Sequence, residues 1–124
     1  LIQLDSKTLP FPDRCFDVVF SNSILHHLPE TGHFWSEVGR VAKVGAYILL
    51  RDLARPASRE MAAEIVKKYS GNESALLQEE FFRSLLAAFT PDELRAQLAQ
   101  AGLDRLDVAM VSDRHWDVFG QLRA

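Results

Sequence analysis

Three adjoining stretches of this 124-residue sequence predict an α/β fold built on a parallel sheet. Phe16–Phe20 (Phe-Asp-Val-Val-Phe) has the β-branched and aromatic content of a strand. Thr31 to Lys43 carries apolar side chains at helical spacing. Tyr47–Leu50 is an unbroken apolar run of strand length, as expected where helices cover both faces of a sheet. Strand, helix, strand is a βαβ unit, so its strands should be parallel and its crossover right-handed.

The remaining elements follow in order. Leu1–Leu4 reads as a short strand or the end of one. Leu9-Pro10-Phe11-Pro12-Asp13-Arg14 is a loop, because its prolines remove backbone donors and fix φ. The strand at Phe16–Phe20 should stop at Ser21-Asn22-Ser23, all turn and cap formers, and Ile24–Leu28 forms at most a helical turn before Pro29. In the helix from Thr31, the sets Phe34, Val38, Val41 and Trp35, Val38, Ala42 make one apolar face. Glu37 and Arg40 lie on its flank at ion-pair spacing, and Gly45 should end it. Ser58 caps a helix to about Tyr69, with Met61, Ile65 and Tyr69 on one side. Asn72 caps another to about Phe89, where Leu77, Phe81, Leu85 and Phe82, Leu86, Phe89 form a broad apolar face of core type. Thr90-Pro91-Asp92-Glu93 is a capping box with proline at the first helical position, and its helix ends at Gly102. Leu106–Val111 and Trp116–Leu122 close the chain as an antiparallel pair about the turn Ser112-Asp113-Arg114.

Composition narrows the function. A net charge of −3 without a basic stripe argues against nucleic acid as a partner. No apolar stretch approaches membrane-span length. The lone Cys15 excludes an internal disulfide and suits a reducing compartment, so a cytoplasmic location is expected. His26, His27 and His33 with Glu30 lack ligand spacing, and no metal site is expected. Cys15 has no neighbours that would activate a thiolate.

In an open α/β sheet, ligands bind at the carboxyl ends of the strands. Three segments should project there: Asp5-Ser6, Ser21-Asn22-Ser23 with His26-His27, and Asp52-Leu53-Ala54-Arg55. They make a polar rim suited to a small polar ligand. The same segments carry a resemblance. Asp5, Leu9-Pro10-Phe11-Pro12-Asp13, Phe16-Asp17-Val18-Val19, Ser21 to Leu28, Glu37-Val38, Arg40-Val41 and Gly45 to Leu50 resemble, in order and spacing, the middle of small-molecule class I S-adenosylmethionine-dependent methyltransferases.

That resemblance implies a partial Rossmann-like fold holding the third to seventh strands of the full sheet. Residues 1–55 would be the motif-bearing core, 56–90 a helical insert or lid, and 91–124 the final helix and antiparallel pair, together one incomplete domain. It implies S-adenosylmethionine as cofactor and a small-molecule methyl acceptor. Asp5 would accept from the adenine amino group, and the Ser6 amide would meet an adenine nitrogen. Ser21, Asn22 and Ser23 would lie beside the methionine part. His26 and His27 stand near the acceptor entrance as candidate general bases. Asp52 and Arg55 would border the acceptor pocket.

The sequence also departs from the family. Its six glycines include no G-x-G spacing, so the glycine-rich cofactor loop and the ribose-binding acid are expected upstream of Leu1. Val44 and Ala46 stand where the family commonly has proline and glycine. Without the two strands that separate Leu1–Leu4 from Phe16–Phe20 in the full fold, one edge of the latter is stripped. Either Leu1–Leu4 folds over that edge, or two chains pair there as a homodimer. A non-catalytic α/β module, kept for packing or partner binding, is the alternative function.

Overall fold

The computed structural model describes residues 2–3, 16–22 and 31–122, with Ile2, Gln3, Phe16, Ser21 and Asn22 described by backbone alone. The expected loop at 9–14 and the helical turn at 24–28 lie outside the described residues. In chain order the elements are β1 (Ile2–Gln3), β2 (Phe16–Asn22), α1 (Gly32–Val41), β3 (Ala42–Leu53), α2 (Arg59–Ser70), α3 (Ala75–Ala87), α4 (Pro91–Gln100), β4 (Asp107–Met110) and β5 (His115–Gln121). The strands form one sheet in the order β1-β2-β3-β5-β4. β1, β2 and β3 are parallel, and β5 runs antiparallel to both β3 and β4. This is the expected partial Rossmann-like arrangement, a parallel core closed by an antiparallel pair.

β1 lies directly on β2, with Ile2 opposite Val19 and Gln3 opposite Phe20. The start of the chain therefore covers part of the edge expected to be stripped. Backbone groups at an uncovered strand edge invite pairing, and the nearest strand-forming segment supplies it.

The core occupies one face of the sheet. Val19, Ile48, Leu50, Trp116 and Val118 pack against Phe34, Trp35, Val38 and Val41 of α1 and Leu94 and Leu98 of α4. Each large side chain buried this way stabilises by about 1.5–3 kcal/mol. Trp35 Nε1 donates to Gln97 Oε1 at 2.8 Å and so ties α1 to α4. On the flank of α1, Arg40 Nε meets Glu37 Oε2 at 2.6 Å, the expected pair.

The opposite face corrects the expectation that helices cover both sides of Tyr47–Leu50. Along β3, buried and open positions alternate, and Tyr47 is 61% exposed. The register sets Val18, Tyr47 and Gln121 in one row and Phe20, Leu49 and Phe119 in the next. The physical reason is that α1 and α4 both pack on the face of Ile48 and Leu50. Among the described residues, helices roof only the end of this second face, where Leu53 packs with Ala62, Ile65, Val66 and Leu85 of α2 and α3.

Caps explain most helix boundaries. Ser58 Oγ accepts from the Met61 amide at 3.1 Å, and Thr90 with Glu93 forms the complete capping box. For α3 the cap is Ser74, not Asn72; its hydroxyl accepts from the Leu77 amide at 3.2 Å. On α2 the buried side is Ala62, Ile65 and Val66, while Met61 and Tyr69, expected beside Ile65, are exposed.

Two boundaries near the sheet differ from expectation. β2 continues through Ser21 and Asn22, because ladder partners Leu50 and Arg51 hold these turn formers extended. α1 ends at Val41, and β3 begins at Ala42 without a connecting loop. Gly45 is therefore no helix cap. It sits inside β3 at φ +87, next to the register shift between Phe16 and Val18. A side chain there would meet only Gln121 Nε2 at 3.8 Å, so the constraint is backbone conformation and not space. Gly45→Ala is accordingly expected to lower stability by about 1 kcal/mol, read as a drop in urea midpoint at unchanged slope; an unchanged midpoint would contradict this account of the bend.

Candidate cofactor and acceptor site

Parallel pairing brings the carboxyl ends of β1, β2 and β3 to one edge of the sheet. Asn22, the last residue of β2, stands opposite Arg51, two residues before the end of β3. The backbone of Ser21 and Asn22 thus reaches the expected rim. Asp5, Ser6, Ser23, His26 and His27 lie outside the described residues.

At the end of β3 the side chains alternate between the two faces. Asp52 points into the covered face and is 1% exposed; its Oδ1 accepts from the Leu53 amide at 2.7 Å. Arg51 points to the open face, where Nε and Nη2 donate to the two carboxylate oxygens of Asp117 at 2.6 and 2.8 Å. Such a two-pronged pair is directional as well as charged. The hydrogen bond to Asp117, reinforced by its charge, raises the Arg51 pKa.

Arg55 is committed to the α3–α4 junction. Its Nη2 meets Glu93 Oε1 at 3.1 Å, its Nη1 donates to the Ala88 carbonyl at 3.4 Å, and its amide donates to the Phe89 carbonyl. Burial pushes the Glu93 carboxyl up, but the hydrogen bonds from Thr90 and Arg55 outweigh it and hold it below its ordinary range. One residue expected at the acceptor pocket is therefore also the clamp between β3 and the α3–α4 junction.

The α2–α3 pair lies across this edge. Its far end is pinned to the β4–β5 turn. Tyr69 Oη donates to Asp113 at 2.9 Å, and the Arg114 guanidinium lies 3.6 Å over the Tyr69 ring. The hydrogen bond from Tyr69, helped by Arg114 and Lys68, lowers the Asp113 pKa. Of the thirteen residues of α3 only Leu85 is buried. Leu76, Leu77 and Met61 are exposed, and Phe81 and Phe82 half-buried. Phe81, Phe82 and Phe89, expected in the core, sit at its margin. The Arg59 guanidinium rests 5.3 Å over the Phe82 ring. A cleft of about 390 Å³ lies elsewhere, between Thr31, Gly32 and Ser36 of the α1 start and Gln97, Gln100 and Ala101.

Comparison with known proteins places this architecture. Residues 1–50 match the methyltransferase domain family. The chain is 33% identical over 103 residues to the 27-O-demethylrifamycin SV methyltransferase of Amycolatopsis mediterranei, a match covering 81% of this chain and 34% of that protein. It is 44% identical over 55 residues to the fatty-acid O-methyltransferase of Mycolicibacterium smegmatis, covering 44% of this chain and 20% of that protein. Its fold superimposes on a SAM-dependent methyltransferase from Aquifex aeolicus with a TM-score of 0.61 at 19% identity, over 98% of this chain and 54% of that one. Over residues 1–50 the chain is similar to the methyltransferase domain family, and its fold is that of S-adenosylmethionine-dependent methyltransferases. It spans about a third of the length of the rifamycin relative.

The residues present fit part of that cofactor. A carboxylate, hydroxyls and an amide (Asp5, Ser6, Ser21, Asn22, Ser23) are groups that suit an adenine and an amino acid; Ser21 and Asn22 are the last residues of β2, and Asp5-Ser6 and Ser23 come in sequence after β1 and β2. The glycine spacing that allows close backbone approach to the cofactor does not occur in this sequence. Among the described residues no cluster suited to a metal ion is present, and no helix is long and apolar enough to cross a membrane.

Sequence reasoning missed His115, Trp116 and Asp117 as neighbours of the site. The signal was available in the alternation along β3 and β5, but only the ladder register pairs Arg51 with Asp117 and Asp52 with Trp116. His115, opposite Leu53, shares a hydrogen bond between Nδ1 and Ser112 Oγ at 3.0 Å. Its burial, with repulsion from Arg114 and Arg51, lowers its pKa from 6.5. The unfolded chain therefore takes up this proton first, so the stability His115 contributes is full above its ordinary pKa and drains as pH falls through the lower folded value. Between pH ~7.5 and ~5, wild type should lose more melting temperature than His115→Gln; equal losses would contradict the assignment.

Proposed function

We propose that this chain forms the acceptor side of an enzyme that transfers a methyl group from S-adenosylmethionine to an oxygen atom of a small lipophilic molecule. The observation that carries this reading is the reach of the rifamycin relative's match. At 81% of the chain, it must include α2 and α3 wherever it begins, so the likeness extends to the acceptor-facing helices. Both relatives named above methylate oxygen by name. The exposed Met61, Leu76 and Leu77 and the half-buried Phe81 and Phe82 suit an apolar acceptor body.

In this reading Asp5 and Ser6 hold the adenine, and Ser21, Asn22 and Ser23 line the methionine part. The sulfonium supplies an already activated methyl group, so the protein's contribution is alignment and exclusion of water. His26 or His27 takes the proton of an acceptor hydroxyl. Asp52 and Arg55 border the acceptor pocket, Arg55 by fixing the base of the lid. A glycine-rich cofactor loop, which this sequence lacks, completes the site.

The test is transfer of label from methyl-tritiated S-adenosylmethionine to a panel of fatty acids, phenols and polar alcohols, using the full reading frame that encodes this chain. Labelled methyl esters or ethers of the lipophilic members are expected. His26→Ala together with His27→Ala should lower kcat by about a hundredfold or more, the usual contribution of a general base. Label appearing only on nitrogen or only on polar acceptors would overturn the reading. So would a folded protein that consumes no S-adenosylmethionine, which would favour the non-catalytic module.

A further inference from the structure

α2 and α3 are built as a piece apart from the main core. Ala62, Ile65, Val66 and Leu85 form their own buried cluster with Phe81, Phe82 and Leu86. Among the described residues, the sheet gives that cluster one side chain, Leu53. None of these belongs to the cluster that packs α1 and α4 on the sheet. The chain enters and leaves the pair through two extended segments lying side by side. Ala54 is bridged in parallel to Phe89, and the Arg55 amide donates to the Phe89 carbonyl at 3.2 Å. Ser58, before α2, and Ala88, after α3, both have extended backbone angles. Two short joints at one place make a hinge, because a few residues at element ends can absorb the change in φ and ψ.

The opposite end of the pair is held by side chains alone. Tyr69 Oη donates to the Asp113 carboxylate, 2.9 Å from Oδ2 and 3.0 Å from Oδ1. Lys68 Nζ reaches the same carboxylate at 3.4 Å. The Arg114 guanidinium covers the Tyr69 ring at 3.6 Å and meets Asp113 Oδ1 at 3.1 Å. The turn that carries Asp113 and Arg114 is itself fixed to the sheet, since the Arg114 carbonyl accepts from the Ala54 amide at 2.8 Å. Among the described residues, the hydrogen bonds that α2 and α3 send to the strands and their turns all go to Asp113. Tyr69 is 42% exposed, and contacts of this kind at a surface are individually weak. They can part without disturbing either core.

We propose that α2 and α3 swing as one piece about the joints at Ala54 and Phe89, and that Tyr69 is the latch that holds them on the β4–β5 turn. Their own cluster lets the two helices move without melting. The contact that breaks is the one with Leu53. Leu53 is the last residue of β3, at the sheet edge where ligands of this architecture bind. Swinging out therefore opens that edge, and closing covers it again. A ring under a guanidinium and one hydrogen-bonded carboxylate set the free energy of this local opening well below that of global unfolding. The device is independent of the reaction performed at the edge it covers.

The experiment reads the opening with a thiol. Leu53→Cys places one beneath α2 and α3, and Val38→Cys places one in the main core, each in the full chain carrying Cys15→Ser. Tyr69→Phe removes the hydrogen bond to Asp113 and keeps the ring. It should speed the reaction of the thiol beneath the helices with an aromatic disulfide reagent about fivefold, while the thiol in the main core keeps its rate. Tyr69→Ala also removes the ring under Arg114 and should speed it further. Amide exchange within α2 and α3, read by NMR, should stay as in the unlatched chain's parent, because a swing leaves helix hydrogen bonds intact. An unchanged rate beneath the helices would overturn the latch. Equal acceleration in the main core would make Tyr69 a support of the whole fold. Faster amide exchange throughout α2 and α3 would make the opening a melting, and either result would overturn the swing.

Discussion

β3 is hydrogen-bonded along both edges, to β2 from Tyr47 to Arg51 and to β5 from Tyr47 to Leu53. Because side chains on a strand alternate, this double pairing fixes which residues of three strands share each face. A slip of one residue would send Ile48, Leu50 and Asp52 to the open side and Tyr47 and Arg51 into the core. The bend at Gly45 lets β3 leave α1 directly and still reach that register. Every other placement at the candidate site follows from it.

The covered face joins packing to chemistry. Ile48 and Leu50 hold α1 and α4 against the sheet. Two residues beyond Leu50, the same row ends in Asp52 beside Trp116. The open face ends instead in the Arg51–Asp117 pair, under the edge that α2 and α3 roof at Leu53. The α2–α3 pair is thus attached at two points: Arg55 holds its base through Glu93 and Ala88, and Tyr69 with Asp113 and Arg114 holds its far end. Between these points most of its α3 side chains stay outside the core, with Leu85 the buried one.

Much of this was legible in the sequence, for identifiable reasons. Apolar spacing in α1 and the capping box of α4 are local signals, and both elements formed where those signals put them. Errors arose where a long-range contact outweighs local preference. Ser21 and Asn22 are turn formers held in a strand by Leu50 and Arg51. Gly45 reads as a helix stop but serves as a bend within β3. The open face was illegible because an unbroken apolar run, Tyr47–Leu50, looks the same whether one side or both are covered. Of the candidate site, the shared edge of the carboxyl ends of β1, β2 and β3 was predictable from topology. The ladder pairing of Asp52 with Trp116 was not, since it depends on the register of two segments far apart in the chain.

The central claim is that the carboxyl edge of β1 and β2 receives S-adenosylmethionine through Asp5. The most direct test is an amide NMR titration of the chain with S-adenosylhomocysteine, a measurement that tolerates the weak affinity expected without a glycine-rich loop. The account predicts saturable shifts confined to the strand ends, at Gln3, Ser21 and Asn22, and their loss in Asp5→Ala. A folded sample whose spectrum does not change, or whose shifts fall at Phe16 and Ala46 at the opposite end of the strands, would contradict it.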